Sequence, residues 1–324
     1  MLEIWLPIAG GLALLVMGGD LLVRGAVRVA ERLGVSPLVI GLTLVGFGTS
    51  MPELVTSVQA ALSGAPGIAW GNIVGSNIAN ILLIAGASAM LFPIAVTAPA
   101  LRRDAMVMLA VAAVFVALAA LVPMGRGIGA AFVLTLAAYV ILTIRNDRAA
   151  TAGALRDKEI ALEALDPGLA PVASRRAGLL VPLLLALGGL ALVIGGGAAL
   201  VRGAVALAQS FAIPETVIGL TIVAVGTSMP ELVTSVMAAI RRQGDVAFGN
   251  IVGSNIVNIL GIGGVTALIA PLPVPDAITR FDAPVMLGLS MLLVLLAATG
   301  LRVSRREGAL LLSGYAIYLA VLWP

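Results

Sequence analysis

The sequence has no cysteine and no histidine. That rules out disulfides, thiolate chemistry, imidazole acids and bases, and metal centres ligated by either residue. Charge is also scarce, at 11% of the 324 residues, and aromatic side chains make up only 4%. With 60% of residues hydrophobic and a mean hydropathy of +1.14, a soluble domain of this size has too little interior to cover the apolar surface, whereas a bilayer accepts it. Alternation is missing as well. Runs such as Met106–Val122 and Leu287–Ala298 are apolar without the period of two that a transmembrane β-barrel requires, so the spans are helices.

A helical span needs about 20 mostly apolar residues. Apolar runs between polar breaks predict ten of them, over residues 4–24, 36–62, 71–92, 104–122, 127–144, 177–200, 213–240, 249–271, 283–299 and 307–323. The expected fold is therefore all-α and integral to the membrane. The first run resembles a signal peptide in length, but it follows Glu3 without a basic segment and has a counterpart at Leu180–Val201, so it belongs to the fold. The net charge of +3 is explained by position rather than by a nucleic-acid partner. With the N-terminus outside, 16 of the 19 lysines and arginines fall in loops on the cytoplasmic side, and only Arg126, Arg202 and Arg280 fall on the other. The positive-inside rule then places both termini on the outer face of the inner membrane, with an even number of spans.

Residues 39–82 and 217–260 align without a gap at an offset of 178, with 31 of 44 positions identical. The match contains GTSMPELVTSV (Gly48–Val58 and Gly226–Val236) and GNIVGSNI (Gly71–Ile78 and Gly249–Ile256), and extends upstream to LVRGAV at Leu22–Val27 and Leu200–Val205. Five spans per half is an odd number, so the second copy must insert upside down. Inverted repeats characterise secondary transporters, whose substrate lies near the midplane where the repeats meet. The expected organisation is a first repeat over 1–145 with its ion-binding motifs at 46–82, a cytoplasmic linker over 146–176, and a second repeat over 177–324 with motifs at 224–260. The linker carries Arg156-Asp157-Lys158-Glu159, reads as a solvated connector, and could include a short amphipathic helix near Leu155–Leu165.

Glu53 and Glu231 lie mid-span in apolar helices, where an ionised carboxylate costs at least a few kcal/mol unless compensated. No basic residue shares either stretch, so a bound cation is the natural partner; a pair of protonated, hydrogen-bonded structural glutamates is the alternative. Thr49 and Ser50 precede Glu53 by four and three positions and share its helix face, and Thr227 and Ser228 stand in the same relation to Glu231. Pro52 and Pro230 have no amide hydrogen, which frees the carbonyls of Gly48 and Gly226. Carboxylates, hydroxyls and freed carbonyls are hard oxygen ligands, suited to calcium and sodium. The next span of each half carries a polar stripe at i, i+4 and i+8: Asn72, Ser76 and Asn80, then Asn250, Ser254 and Asn258. These serve either as ligands or as interhelical hydrogen bonds.

The paired GTSMPEL and GSNIxN segments resemble the α-repeats of the sodium/calcium exchanger (cation/calcium antiporter) superfamily, bacterial calcium/sodium antiporter type. The resemblance implies ten transmembrane helices in two inverted five-helix repeats, with one calcium and up to three sodium positions in a diamond. It implies that Glu53 and Glu231 bridge calcium and that the carbonyls of Thr49 and Thr227 complete its coordination. Gly46, Ser50, Ser76, Ala224, Ser228 and Ser254 would line the sodium positions, with Asn80 and Asn258 between them. Some members, including potassium-dependent ones, carry aspartate where this chain has Asn258, which argues against potassium cotransport. Proton/calcium exchangers of the superfamily resemble GNxxE and commonly use histidine, so sodium is the expected coupling ion. In the family the first and sixth helices form a moving unit, and here they carry Gly18-Gly19 and Gly195-Gly196-Gly197.

The expected function is thus secondary-active exchange of sodium for calcium by alternating access, performed by a single chain without a cofactor, and not an enzymatic reaction. A proton-coupled antiporter of calcium or another divalent cation, and a cation channel, are the competing readings.

Overall fold

The computed structural model describes residues 2–32, 49–98, 100–163, 179–240, 242 and 244–323. It is mostly helical, as lipid demands: in hydrocarbon a backbone amide or carbonyl finds no water, and a helix satisfies both within one segment. The helices are α1 (Leu2–Arg32), α2 (Met51–Leu62), α3 (Pro66–Leu91), α4 (Ala100–Leu121), α5 (Arg126–Glu163), α6 (Leu180–Phe211), α7 (Glu215–Thr227), α8 (Met229–Ile240), α9 (Val246–Ile269), α10 (Ile278–Ala298) and α11 (Arg305–Leu322). Two short strands, β1 (Ile94–Ala95) and β2 (Arg302–Val303), pair antiparallel with Ile94 opposite Val303.

Among the described residues seven helices are long and apolar enough to cross a membrane, or eight if α7 and α8, bent by 50° at Ser228, form one broken span. α11 carries Arg305, Arg306 and Glu307 in its first turn, and α2 has only 12 residues, so neither is among the seven. The first part of the expected span 36–62 lies outside the described residues.

Several helices outrun their apolar runs. α4 and α10 begin about a turn early, because π-helical turns at Ala100–Ala105 and Ile278–Asp282 carry charged residues into the helix. α5 continues through the stretch expected to be linker as far as Glu163, including part of the amphipathic segment expected near Leu155–Leu165. The residues from 146 to 163 include five alanines and no proline, and the single Gly153 is not enough to stop the helix.

α1 and α6 run antiparallel along a seam of glycines seven residues apart. A Cβ on Gly11 would lie 2.8 Å from the Gly196 carbonyl oxygen, and one on Gly18 would lie 2.8 Å from that of Gly189. Backbone therefore meets backbone at these levels, and again where Gly25 meets Ala186 and Gly203 meets Ile4, in the close approach that small residues permit. The outer glycines of the pair point elsewhere: Gly19 faces Pro52, and a Cβ on Gly197 would press on Val55 of α2 at 2.8 Å.

α3 and α9 occupy the middle of the protein, with 83% and 78% of their span windows buried, against 17–33% for the other spans. One apolar core packs around them from α4, α5, α10 and α11, and a second joins α1, α6, α7 and the end of α2. The two most buried spans are thus the two that carry the asparagine and serine stripes, so those polar groups must be satisfied inside the protein.

Candidate ion-binding site

Each glutamate stands in the first turn of a helix that begins at a break. Ser50 precedes α2 with φ −87° and ψ 5°, and Ser228 separates α7 from α8 with φ −82° and ψ 10°. The two motifs therefore adopt the same bridge conformation, a sparsely populated one. Proline follows two residues later in both, where its missing amide and fixed φ suit a helix start. Glu53 and Glu231 then face the positive end of the peptide dipoles of α2 and α8. Both side chains are buried, at 1% and 2% exposure.

The halves are joined at these acids. Ser228 Oγ donates to Glu53 Oε1 at 2.8 Å, and Ser50 Oγ donates to Glu231 Oε1 at 3.0 Å. Each carboxylate is held by the hydroxyl of the opposite motif, while Glu53 Oε2 and Glu231 Oε2 are buried with no hydrogen-bond partner. The described ion pairs, Arg24–Asp20, Arg103–Asp104 and Arg280–Asp276, involve neither acid.

α3 and α9 close the site. Asn72 Nδ2 donates to the Glu53 carbonyl oxygen at 3.2 Å and to Ser57 Oγ at 2.9 Å, and Asn250 Nδ2 repeats this toward Glu231 and Ser235 at 3.4 and 2.8 Å. Thr227 Oγ1 lies 3.0 Å from Asn72 Oδ1, linking α7 to the other half. Asn72 is therefore a clamp on the glutamate helix, with its amide engaged on both sides, and differs from the two residues that continue its stripe. Ser76 Oγ and Asn80 Oδ1 are buried without partners, as are both amide atoms of Asn258; Asn80 Nδ2 donates across to Asn255 Oδ1 at 3.0 Å.

Of the residues singled out from sequence, Thr49, Ser50, Glu53, Ser76, Asn80, Ala224, Thr227, Ser228, Glu231, Ser254 and Asn258 are all buried. Gly46 lies outside the described residues. Among the described residues no cluster of three or more acidic, histidine or cysteine side chains exists, so a cation here would meet two carboxylates and otherwise neutral oxygens.

A second paired feature escaped the sequence reading. Tyr139 of α5 donates to Asp104 Oδ1 at 2.9 Å, and Tyr318 of α11 donates to Asp282 Oδ1 at 2.8 Å. The aspartates obey the 178-residue offset but the tyrosines are 179 apart, so an ungapped comparison finds only half of each pair. Arg103 ion-pairs with Asp104, whereas the equivalent position before Asp282 is Phe281.

A multi-pass helical membrane protein whose centre is a buried pair of carboxylates among unpartnered neutral oxygens has the form of a cation transporter. The chain belongs to the sodium/calcium exchanger protein family, whose model matches residues 4–145 and 181–323. The sodium/calcium exchanger MaX1 of Methanosarcina acetivorans is 36% identical, with 97% of this chain and 96% of that protein aligned. The inner membrane protein YrbG of Escherichia coli is 35% identical, over 97% and 94%. Among solved structures, the sodium-calcium exchanger NCX_Mj soaked with sodium and strontium superposes with a TM-score of 0.66 at 33% identity, covering 100% of this chain and 99% of the other. This is a family of transporters rather than of enzymes.

Proposed function

We propose that the protein exchanges sodium for calcium across the inner membrane by alternating access, as a single chain, with both termini on the outer side. Ten spans in two inverted repeats, 1–145 and 177–324 joined by a cytoplasmic linker, supply the two halves of one site. Glu53 and Glu231 bridge the calcium ion with the carbonyls of Thr49 and Thr227. Gly46, Ser50, Ser76, Ala224, Ser228 and Ser254 line the sodium positions, and Asn80 and Asn258 stand between them.

One observation carries this reading: Glu53 Oε2, Glu231 Oε2, Ser76 Oγ, Asn80 Oδ1 and Asn258 Oδ1 are buried oxygens with no protein donor. Left unpaired, each carries a penalty of about 1–3 kcal/mol, and more where it is charged. Hard cations bound among these oxygens would relieve the penalties, and two carboxylates match the charge of one divalent ion. The relatives named sodium/calcium exchangers support sodium as the counter-ion. The test is calcium uptake into proteoliposomes driven in separate arms by sodium, proton and potassium gradients. Uptake with sodium alone is expected. Uptake with protons alone would assign the coupling to protons, and downhill calcium flux that drives nothing would make the protein a channel.

A further inference from the structure

Three connecting turns converge at one end of the spans. The β1–β2 pair joins the chain after α3 to the turn before α11, with Val96 N donating to Leu301 O at 2.8 Å. Gly244, entering α9, packs on the backbone of Ala95 so tightly that a Cβ there would lie 2.5 Å from its nitrogen. Exposed arginines stand there: Arg242 in the turn before α9, Arg302 in β2 and Arg305 at the start of α11.

Two of these guanidinium groups lie against a single ring. Arg242 Cζ is 5.1 Å and Arg305 Cζ is 6.0 Å from the centroid of Phe92, and Arg305 also donates to the Leu91 carbonyl oxygen at 3.2 Å. Like charges gathered on one ring repel each other. Arg242 moreover holds φ at +60°, a left-handed conformation that is costly for a side chain of this size. Among the described residues no carboxylate pairs with Arg242 or Arg305, while Arg302 lies in the field of Glu307. Asp104 is taken by Arg103 and Tyr139, and Glu307 accepts from Ser304 N and Oγ and from Thr299. Exposed apolar side chains, Leu91, Ile240, Leu301 and Leu310, border the same turns.

We propose that Arg242, Arg305 and Arg302 form a seat for the phosphate of an anionic phospholipid, whose acyl chains lie along the bordering apolar side chains. Guanidinium groups held over an aromatic ring, one of them also fixed by the Leu91 carbonyl, present their remaining N–H groups to a ligand, as phosphate recognition requires. Basic clusters where spans meet the headgroups attract acidic lipids, by a factor of about five per arginine. The neighbouring apolar side chains favour a lipid over free phosphate, because only an amphiphile covers both surfaces. The seat is independent of which ions the protein exchanges.

The experiment delipidates the full-length protein in neutral detergent and follows thermal unfolding and native mass spectra with phosphatidylglycerol, phosphatidylcholine or inorganic phosphate added. Wild type is expected to retain phosphatidylglycerol and to unfold several degrees higher with it, with neither other addition matching the effect. Arg242→Gln with Arg305→Gln should weaken retention by an order of magnitude or more, while Arg202→Gln on the exposed face of α6 should not. Arg242→Gly guards against misfolding, since glycine accepts the left-handed turn without strain. It should unfold no earlier than wild type without lipid, yet show a smaller shift with phosphatidylglycerol. Undiminished retention in these variants, or stabilisation by inorganic phosphate equal to that by the lipid, would overturn the proposal.

Discussion

Ser228 donates to Glu53 at 2.8 Å although the two are 175 positions apart, and the two halves of the chain are thereby tied together at the acid itself. The bond reaches only one carboxylate oxygen, and the Ser50–Glu231 pair mirrors it. Half of each carboxylate remains available to an ion.

Glutamine at either position keeps the oxygen that accepts from serine and removes the charge. Glu53→Gln and Glu231→Gln are each expected to reduce sodium-driven calcium uptake to background, with thermal stability in detergent unchanged or higher, because a costly buried charge has gone. Radioactive calcium flux and thermal unfolding on the same preparations check both halves of the statement. A variant that exchanges calcium at the wild-type rate would remove that glutamate from the site.

Asn258 offers two unpartnered amide atoms to the same interior. Asn258→Asp adds a third carboxylate that must give up its proton to hold a cation, so calcium binding should become steeper in pH and weaken on acidification. Calcium titrations across pH, repeated with and without potassium, measure this. A profile identical to the parent places residue 258 outside the ion site.

The glycine seam between α1 and α6 separates two kinds of substitution. A Cβ on Gly189 would stand 2.3 Å from the backbone nitrogen of Leu22, whereas one on Gly195 meets nothing within 4 Å. Gly189→Ala should therefore destabilise by about 1–3 kcal/mol, as overpacking does, and Gly195→Ala should be neutral or slightly stabilising. Equal melting temperatures for the two would contradict the seam. Because the two helices interlock at this seam, any sliding must occur where Gly19 and Gly197 face α2. Bulky residues at 197 should slow calcium flux while leaving equilibrium binding nearly intact.

The Tyr318–Asp282 pair makes an ordering testable. Tyr318→Phe leaves a buried carboxylate without its side-chain donor and should lower stability by about 1–3 kcal/mol. Asp282→Asn keeps an acceptor for the tyrosine and removes the charge, so it should lower stability less. Thermal unfolding of the two variants side by side gives the answer, and the reverse order would mean that Asp282 is stabilised as an anion by something other than Tyr318.

The sequence by itself determined that the protein is helical and crosses a membrane, and it singled out the acids. Composition sets the solvent, apolar run length sets the spans, and two acids at identical positions in a repeated motif stand out against an apolar background. Helix ends were less legible: the π-helical turns before α4 and α10 hold charged residues that read as loop, and α5 runs on because nothing stops it. Only the tertiary structure decided which members of each polar stripe are clamps and which are open. Asn72 and Asn80 share a spacing and a side chain, yet Asn72 faces Ser57, Glu53 and Thr227 while Asn80 keeps an unpartnered oxygen. Hydrogen-bond partners 155 to 181 residues away are chosen by how the two halves pack, and no local pattern records that. The same holds for Tyr139 and Tyr318, which fall out of the repeat register by one residue and are matched to their aspartates only by the docking of separate helices.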